Sequence, residues 1–259
     1  MGYGRWLSAV IVGALWTCGA QAADMVRLAY EDKPQPPYYM DDSTVVDAER
    51  PGVSIDLIRI AAKEIGIEVD FVRMPWVRCQ KSLQMGEVDA IFNSSFKEDR
   101  LEYGTYPMVG SKPDPSRRIA TLSYSLYRLK GSPVTWNGKT IGGLDGPVGA
   151  QTGYSIIDDL TRMGVKTEEA QASSTNFKKL TSKRIPAVAA QDVNGDFLLA
   201  SGDFPEIEKI FPPLVTKDYF LMFSHQFYDN KRALAERLWA KIGEVRERDG
   251  AKLYAKYAK

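Results

Sequence analysis

Between residues 25 and 92 the hydrophobic pattern switches repeatedly between a period of two and a helical period, and few folds accept that order. Residues 25–30 (MVRLAY) alternate apolar and polar side chains, as a strand does. From Pro51 the spacing turns helical: Leu57, Ile58, Ala61, Ala62 and Ile65 recur on one face, with Ser54 as the expected N-cap and Gly66 as the stop. Residues 67–72 (IEVDFV) alternate again, Pro75-Trp76-Val77-Arg78 opens a second helical stretch, and Val88 with residues 90–92 forms a short apolar run. The expected unit is strand–helix–strand–helix–strand with a parallel sheet. Loops after parallel strands gather at one edge, where open α/β sheets bind ligands. That edge should collect Tyr38, Trp76 and the loop Asn93-Ser94-Ser95.

Five residues beyond Ser95 stands Arg100, a fixed cation whose planar fork matches a carboxylate. Its competing role is a local ion pair with Glu98, Asp99 or Glu102. Residues 31–42 hold three prolines and the pair Tyr38-Tyr39, a stiff non-helical loop that either presents an aromatic ring or serves as a surface turn.

The opening pattern then recurs. Residues 119–127 are extended, and Val148-Gly149-Ala150 lead into Gln151-Thr152-Gly153-Tyr154-Ser155 and a helix begun by Ile156, Ile157 and Leu160. A strand, a glycine turn and a helix N-terminus can bind an anion through free backbone N–H groups. Residues 176–180 end another helix, and residues 187–190 read as a strand that delivers Gln191-Asp192 to its C-terminal end. There Asp192 either caps a helix or receives an ammonium group. Residues 212–223 are extended, and from Lys231 an amphipathic helix carries Ala235, Leu238, Trp239, Ile242 and Val245.

Composition removes several functions. Arg5, an apolar run over residues 6–18 and Ala20-Gln21-Ala22 have the form of a secretory signal peptide, expected over residues 1–22. The run is shorter than the roughly 18 residues of a membrane-spanning helix. Without it, 33 basic residues face 33 acidic ones, because the leader removes Arg5 and no acid. Such a chain is no partner for nucleic acid. Cys79 is then the lone cysteine, so no internal disulfide forms, and His225 is the lone histidine. Zinc sites and Ser-His-Asp triads lack raw material, and no metal or cofactor is expected.

The ordered series PPYY (36–39), PGVSIDLIRIAAKEIGI (51–67), PWVR (75–78), GEVDAIFNSS (86–95), EDR (98–100), VGAQTGYS (148–155), AVAAQD (187–192) and YFLMFS (219–224) resembles the periplasmic solute-binding proteins of the polar amino-acid family that serve ABC importers. The resemblance implies a type II two-lobed α/β fold, each lobe a mostly parallel sheet flanked by helices. Two extended crossovers, near residues 121–127 and 212–217, would join them. Lobe one would hold residues 23–122 and 216–259, and lobe two residues 123–215. It implies that Arg100 grips a ligand carboxylate, that the turn Thr152-Gly153-Tyr154-Ser155 adds backbone donors, and that Asp192 takes the ammonium. Glu31, Tyr38, Trp76, Asn93, Ser94 and Ser95 complete the expected ligand set. The implied protein is a periplasmic monomer without catalysis that hands a small solute, a polar amino acid or related carboxylate, to an inner-membrane ABC permease. Two alternatives share the scaffold. One is a cyclohexadienyl dehydratase-like enzyme using Glu31, Glu98 or Asp192 as general acid, and the other a sensor or accessory protein of a periplasmic oxidation system. The chain departs from the family pattern at Tyr154, where a small residue is usual, and at Asn194-Gly195 after Asp192.

Overall fold

The computed structural model describes Met1, residues 24–40 and residues 45–257. Apart from Met1, the expected leader lies outside the described residues. The first unit folds as its periodicity requires: β1 (Met25–Glu31), α1 (Val53–Glu64), β2 (Glu68–Met74), α2 (Trp76–Gln84) and β3 (Ala90–Ser95). β1 runs parallel to both β2 and β3, so the C-terminal ends of all three point the same way. The helix α1 starts at Val53 after Gly52, whose φ of 119° suits only glycine and whose added Cβ would lie 2.3 Å from the Tyr38 carbonyl oxygen. Ser54 is therefore inside the helix rather than its cap, and its hydroxyl donates to Asn93 Oδ1 at 3.1 Å.

Residues Asn93 to Ser95, expected as a loop, are the last part of β3. Tertiary pairing extends the strand: Ser95 and Ser94 lie opposite Tyr219 and Phe220 of the long strand Ile207–Ser224. Asn93 adopts φ 53° where that register slips, a conformation asparagine tolerates better than most residues.

The second half repeats the plan. Strands Val148–Gln151, Thr167–Ala170 and Ala187–Gln191 are parallel, with α3 (Ile156–Arg162) and α4 (Ser173–Thr181) between them, and α5 (Asp192–Ala200) follows. Two long antiparallel strands, Ala120–Leu129 and Ile207–Ser224, pair with each other and join the halves into one nine-stranded sheet among the described residues. The pairing between them shifts register between Ile210 and Val215, around Pro212-Pro213. The two-lobed fold implied by the sequence is thus present, with α6 (His225–Tyr257) packed across the first half.

That helix begins earlier than its amphipathic pattern predicts and is interrupted at Lys231 (φ −133°, ψ 38°). Its apolar stripe, Ala235, Leu238, Trp239, Ile242 and Val245, is fully buried against α1 and β3 residues such as Ile58 and Phe92. The Trp239 indole donates to the Leu221 carbonyl oxygen at 2.7 Å, so its polar edge is satisfied within the core.

Candidate binding site

The strand ends meet across a cleft. Its wall includes Glu31, Gln35, Tyr39, Trp76, Asn93, Ser95 and Arg100 from the first half, Tyr154, Ser155 and Gln191 from the second, and Tyr124 and Tyr219 from the crossovers. These walls stand close together and enclose about 20 Å³ of free space. Trp76 at the start of α2, Ser95 at the end of β3 and Glu31 at the end of β1 arrive there because parallel strands share one C-terminal edge.

Arg100 sits on a short 3-10 turn (Glu98–Glu102) and is only 2% exposed. None of the neighbouring acids pairs with it. Instead its guanidinium donates to Ser95 O at 2.7 Å, Ser94 Oγ at 3.3 Å and, across the cleft, Gly153 O at 3.0 Å. It also lies over the Trp76 ring, 5.5 Å from the centroid. Ser94 therefore stands behind the arginine rather than on the cleft wall, held as well by Tyr106 at 2.7 Å.

Glu31 is the carboxyl on the wall, and 4% of it is exposed. Gln151 Nε2 donates to it from the other lobe at 2.5 Å, as does the Tyr154 hydroxyl, and Tyr39 donates from its own lobe at 3.4 Å. Burial lifts its pKa from 4.5 to about 7, although these hydroxyls pull the other way. Tyr154, Tyr39 and Tyr124 are buried beside it, and each phenol is pushed well above its ordinary pKa mainly by loss of solvent.

The turn after strand Val148–Gln151 differs from expectation in its chemistry. Thr152 N–H bonds Ala170 O at 3.0 Å and Tyr154 N–H bonds Gln151 O at 3.1 Å, so neither amide faces the cleft. Gly153, at φ 76°, presents its carbonyl oxygen, which accepts from Arg100 and from Trp76 Nε1 at 3.2 Å. A Cβ on Gly153 would come within 3.0–3.4 Å of Gln80, Val77 and Trp76, so glycine lets the two lobes touch here. Thr152 lines a neighbouring hollow beyond Glu31 instead. Ser155 is on the wall, and its hydroxyl receives bonds from Ser95 at 2.8 Å and Lys217 at 3.0 Å.

Asp192 is not on the wall. It opens α5, its Oδ2 pairs with Lys209 at 3.1 Å, and its buried Oδ1 has no hydrogen-bond partner. The residue facing the cleft is its neighbour Gln191, whose Nε2 donates to the Tyr219 hydroxyl at 2.7 Å and whose Oε1 accepts from Gln35. Likewise Tyr39, not Tyr38, enters the cleft, while Tyr38 packs between two apolar clusters. Gln35, Gln151, Tyr124 and Tyr219 were not singled out from sequence. Gln35 adjoins the PPYY motif, Gln151 lies within VGAQTGYS and Tyr219 opens YFLMFS, whereas Tyr124 meets the site only because a crossover strand passes it.

These features define the class: a two-lobed α/β protein with a polar, aromatic-lined cleft between its halves. Residues 26–108 match the model of the bacterial extracellular solute-binding proteins, family 3, which bears out the resemblance read from the motifs. No curated protein gives a significant match. Among solved structures, an ancestral arginine-binding protein bound to glutamine aligns with TM-score 0.68 at 19% identity, covering 92% of this chain and 99% of that one. The ligand-binding core of GluR0 from Nostoc punctiforme, in complex with L-glutamate, aligns with TM-score 0.66 at 18% identity over 90% and 98%. A histidine kinase sensor domain with similarity to periplasmic binding proteins gives TM-score 0.70 at 15% identity over 90% and 95%. At these identities the likeness concerns the fold.

Proposed function

We propose that this protein is a periplasmic solute-binding protein that captures a small carboxylate, an amino acid or a related acid, between two lobes and delivers it to an ABC importer. The lobes would be residues 23–122 with 216–259, and residues 123–215. The observation that carries the reading is Arg100: a cation 2% exposed, on the cleft wall, paired with no carboxylate among the described residues. A buried cation costs much free energy unless an anion joins it, and a ligand carboxylate would supply that anion bidentately. Closure of the hinge would complete a site that neither lobe holds alone.

The test is titration calorimetry on the purified protein, unfolded and refolded to strip carried solute, with amino acids and related carboxylates. Arg100→Ala is expected to weaken binding at least about thirtyfold, in line with the roughly 2–5 kcal/mol lost when one partner of a buried charge pair is removed. Unchanged affinity in a folded Arg100→Ala protein removes the carboxylate assignment.

Glu31 favours a second reading. A carboxyl poised near neutrality in the same cleft as a buried arginine has the properties of a general acid. A dehydratase-like enzyme would turn over prephenate or arogenate and lose that turnover in Glu31→Gln. Saturable binding without product is the outcome expected of the transport reading.

A further inference from the structure

Most polar atoms on the cleft wall satisfy one another. Three do not: Gln35 Oε1, Asn93 Nδ2 and Arg100 Nε are buried without a hydrogen-bond partner, in residues that are 2%, 8% and 2% exposed. Buried polar groups are paired in the great majority of cases, so three orphans around one hollow describe what it is shaped to receive. Two are donors, one of them cationic, and the third is a neutral acceptor. Their complement is a carboxylate that carries a neutral hydrogen-bond donor beside it.

The acids of the region do not complement an ammonium group. Asp192 stands off the wall with Lys209, and Asp159 is bonded by Lys217 and Arg162. Glu31 remains, its oxygens already accepting from Gln151, Tyr154 and Tyr39. The other titratable groups facing it are Asp32 and Lys33 on its own loop and Cys79 on α2, while Arg100 lines the same cleft. Burial keeps this carboxyl half neutral near pH 7, so it offers an ammonium a weakened counter-charge. An ammonium held only by amide and hydroxyl dipoles is poorly compensated for its lost water, whereas a hydroxyl carries no such penalty.

We infer that the preferred ligands of this cleft are α-hydroxy carboxylates rather than zwitterionic α-amino acids, with the carboxylate on Arg100 and Asn93 and the hydroxyl donating to Gln35 Oε1. This specificity rests on the carboxylate reading of Arg100 and deepens it.

Matched pairs test it by calorimetry at pH 7.5: L-lactate against L-alanine, L-malate against L-aspartate, L-2-hydroxyglutarate against L-glutamate, and L-phenyllactate against L-phenylalanine. The expected result is at least one hydroxy acid binding at least tenfold more tightly than its amino partner. Gln35→Leu should reduce that affinity about tenfold, the variant being checked for cooperative unfolding. Amino acids that bind while no hydroxy acid reaches that tenfold margin over its partner overturn the inference. Loss of such binding in Glu31→Gln or Asp192→Asn would then identify the ammonium receptor, and its loss in Arg100→Ala would leave the carboxylate reading standing. No binding by any member of any pair removes both.

Discussion

The two halves of the sheet share one strand order, second–first–third–crossover, yet equivalent strand ends carry different chemistry. The first strands end in Glu31 and Gln151, which bond each other across the cleft at 2.5 Å. The third strands end in Ser95, followed closely by Arg100, and in Gln191, followed by Asp192. The first half aims its cation and its carboxyl at the cleft. In the second half the wall is made of Tyr154, Ser155 and Gln191, while Asp192 and Asp159 are drawn to Lys209 and Lys217 on the second crossover strand. Closing such a cleft lays a charged wall on a neutral one, so the charges meet oriented dipoles instead of a second set of ions. Duplicated topology therefore positions residues without fixing their roles.

Paired substitutions test this division most severely. If the charged wall governs capture, Asp192→Asn should alter ligand affinity less than about threefold where Arg100→Ala costs thirtyfold or more, both read by calorimetry. An equal or larger loss in Asp192→Asn would erase the asymmetry.

The next largest effect concerns Glu31. Its pKa is raised from 4.5 to about 7 by burial, so the neutral form favours the closed, folded state. The stabilisation is full below about pH 4.5 and is lost as pH rises through about 7, with up to about 3 kcal/mol at stake. Between pH 4.5 and 7.5 the wild-type Tm should fall relative to that of Glu31→Gln, measured by scanning calorimetry. A pH-independent gap would mean that Glu31 is not held in that environment.

A smaller effect, about 1–3 kcal/mol, is expected from Gly195→Ala on α5. Its Cβ would fall 2.2 Å from Tyr127 Cζ, forcing the helix off the strand beneath it. Chemical denaturation would show the loss, and unchanged stability would mean that α5 rides free of that strand. The smallest is Lys97→Ala. Lys97 bridges the cleft to Asp158 at 2.8 Å, with side chains 17% and 39% exposed, and a pair so placed contributes about 0.2–1 kcal/mol, less in high salt.

Much of this was legible in the sequence because it depends on local period. β1 to β3 and the intervening helices follow from side-chain alternation and from Gly66, and Arg100 follows from its place just after the third strand. What escaped depended on partners distant in the chain. The strand character of Asn93 to Ser95 is conferred by residues near Tyr219, and Asp192 is turned aside by Lys209 on another strand. Periodicity could place a Gln-Asp pair at a strand end but not decide which member faces inward. It could not foresee that a positive φ at Gly153 would expose a carbonyl oxygen where amide donors were expected.

Trp76 has a consequence of another kind. Its ring belongs to the first half, its indole N–H is anchored to Gly153 of the second, and a guanidinium rests over its face. Any widening of the gap must break that anchor and wet the ring, whereas Trp136 and Trp239 remain enclosed in their packing clusters. The chain thus carries a native optical gauge: the colour and quenching of one fluorophore track how far the jaws stand apart, with no dye attached.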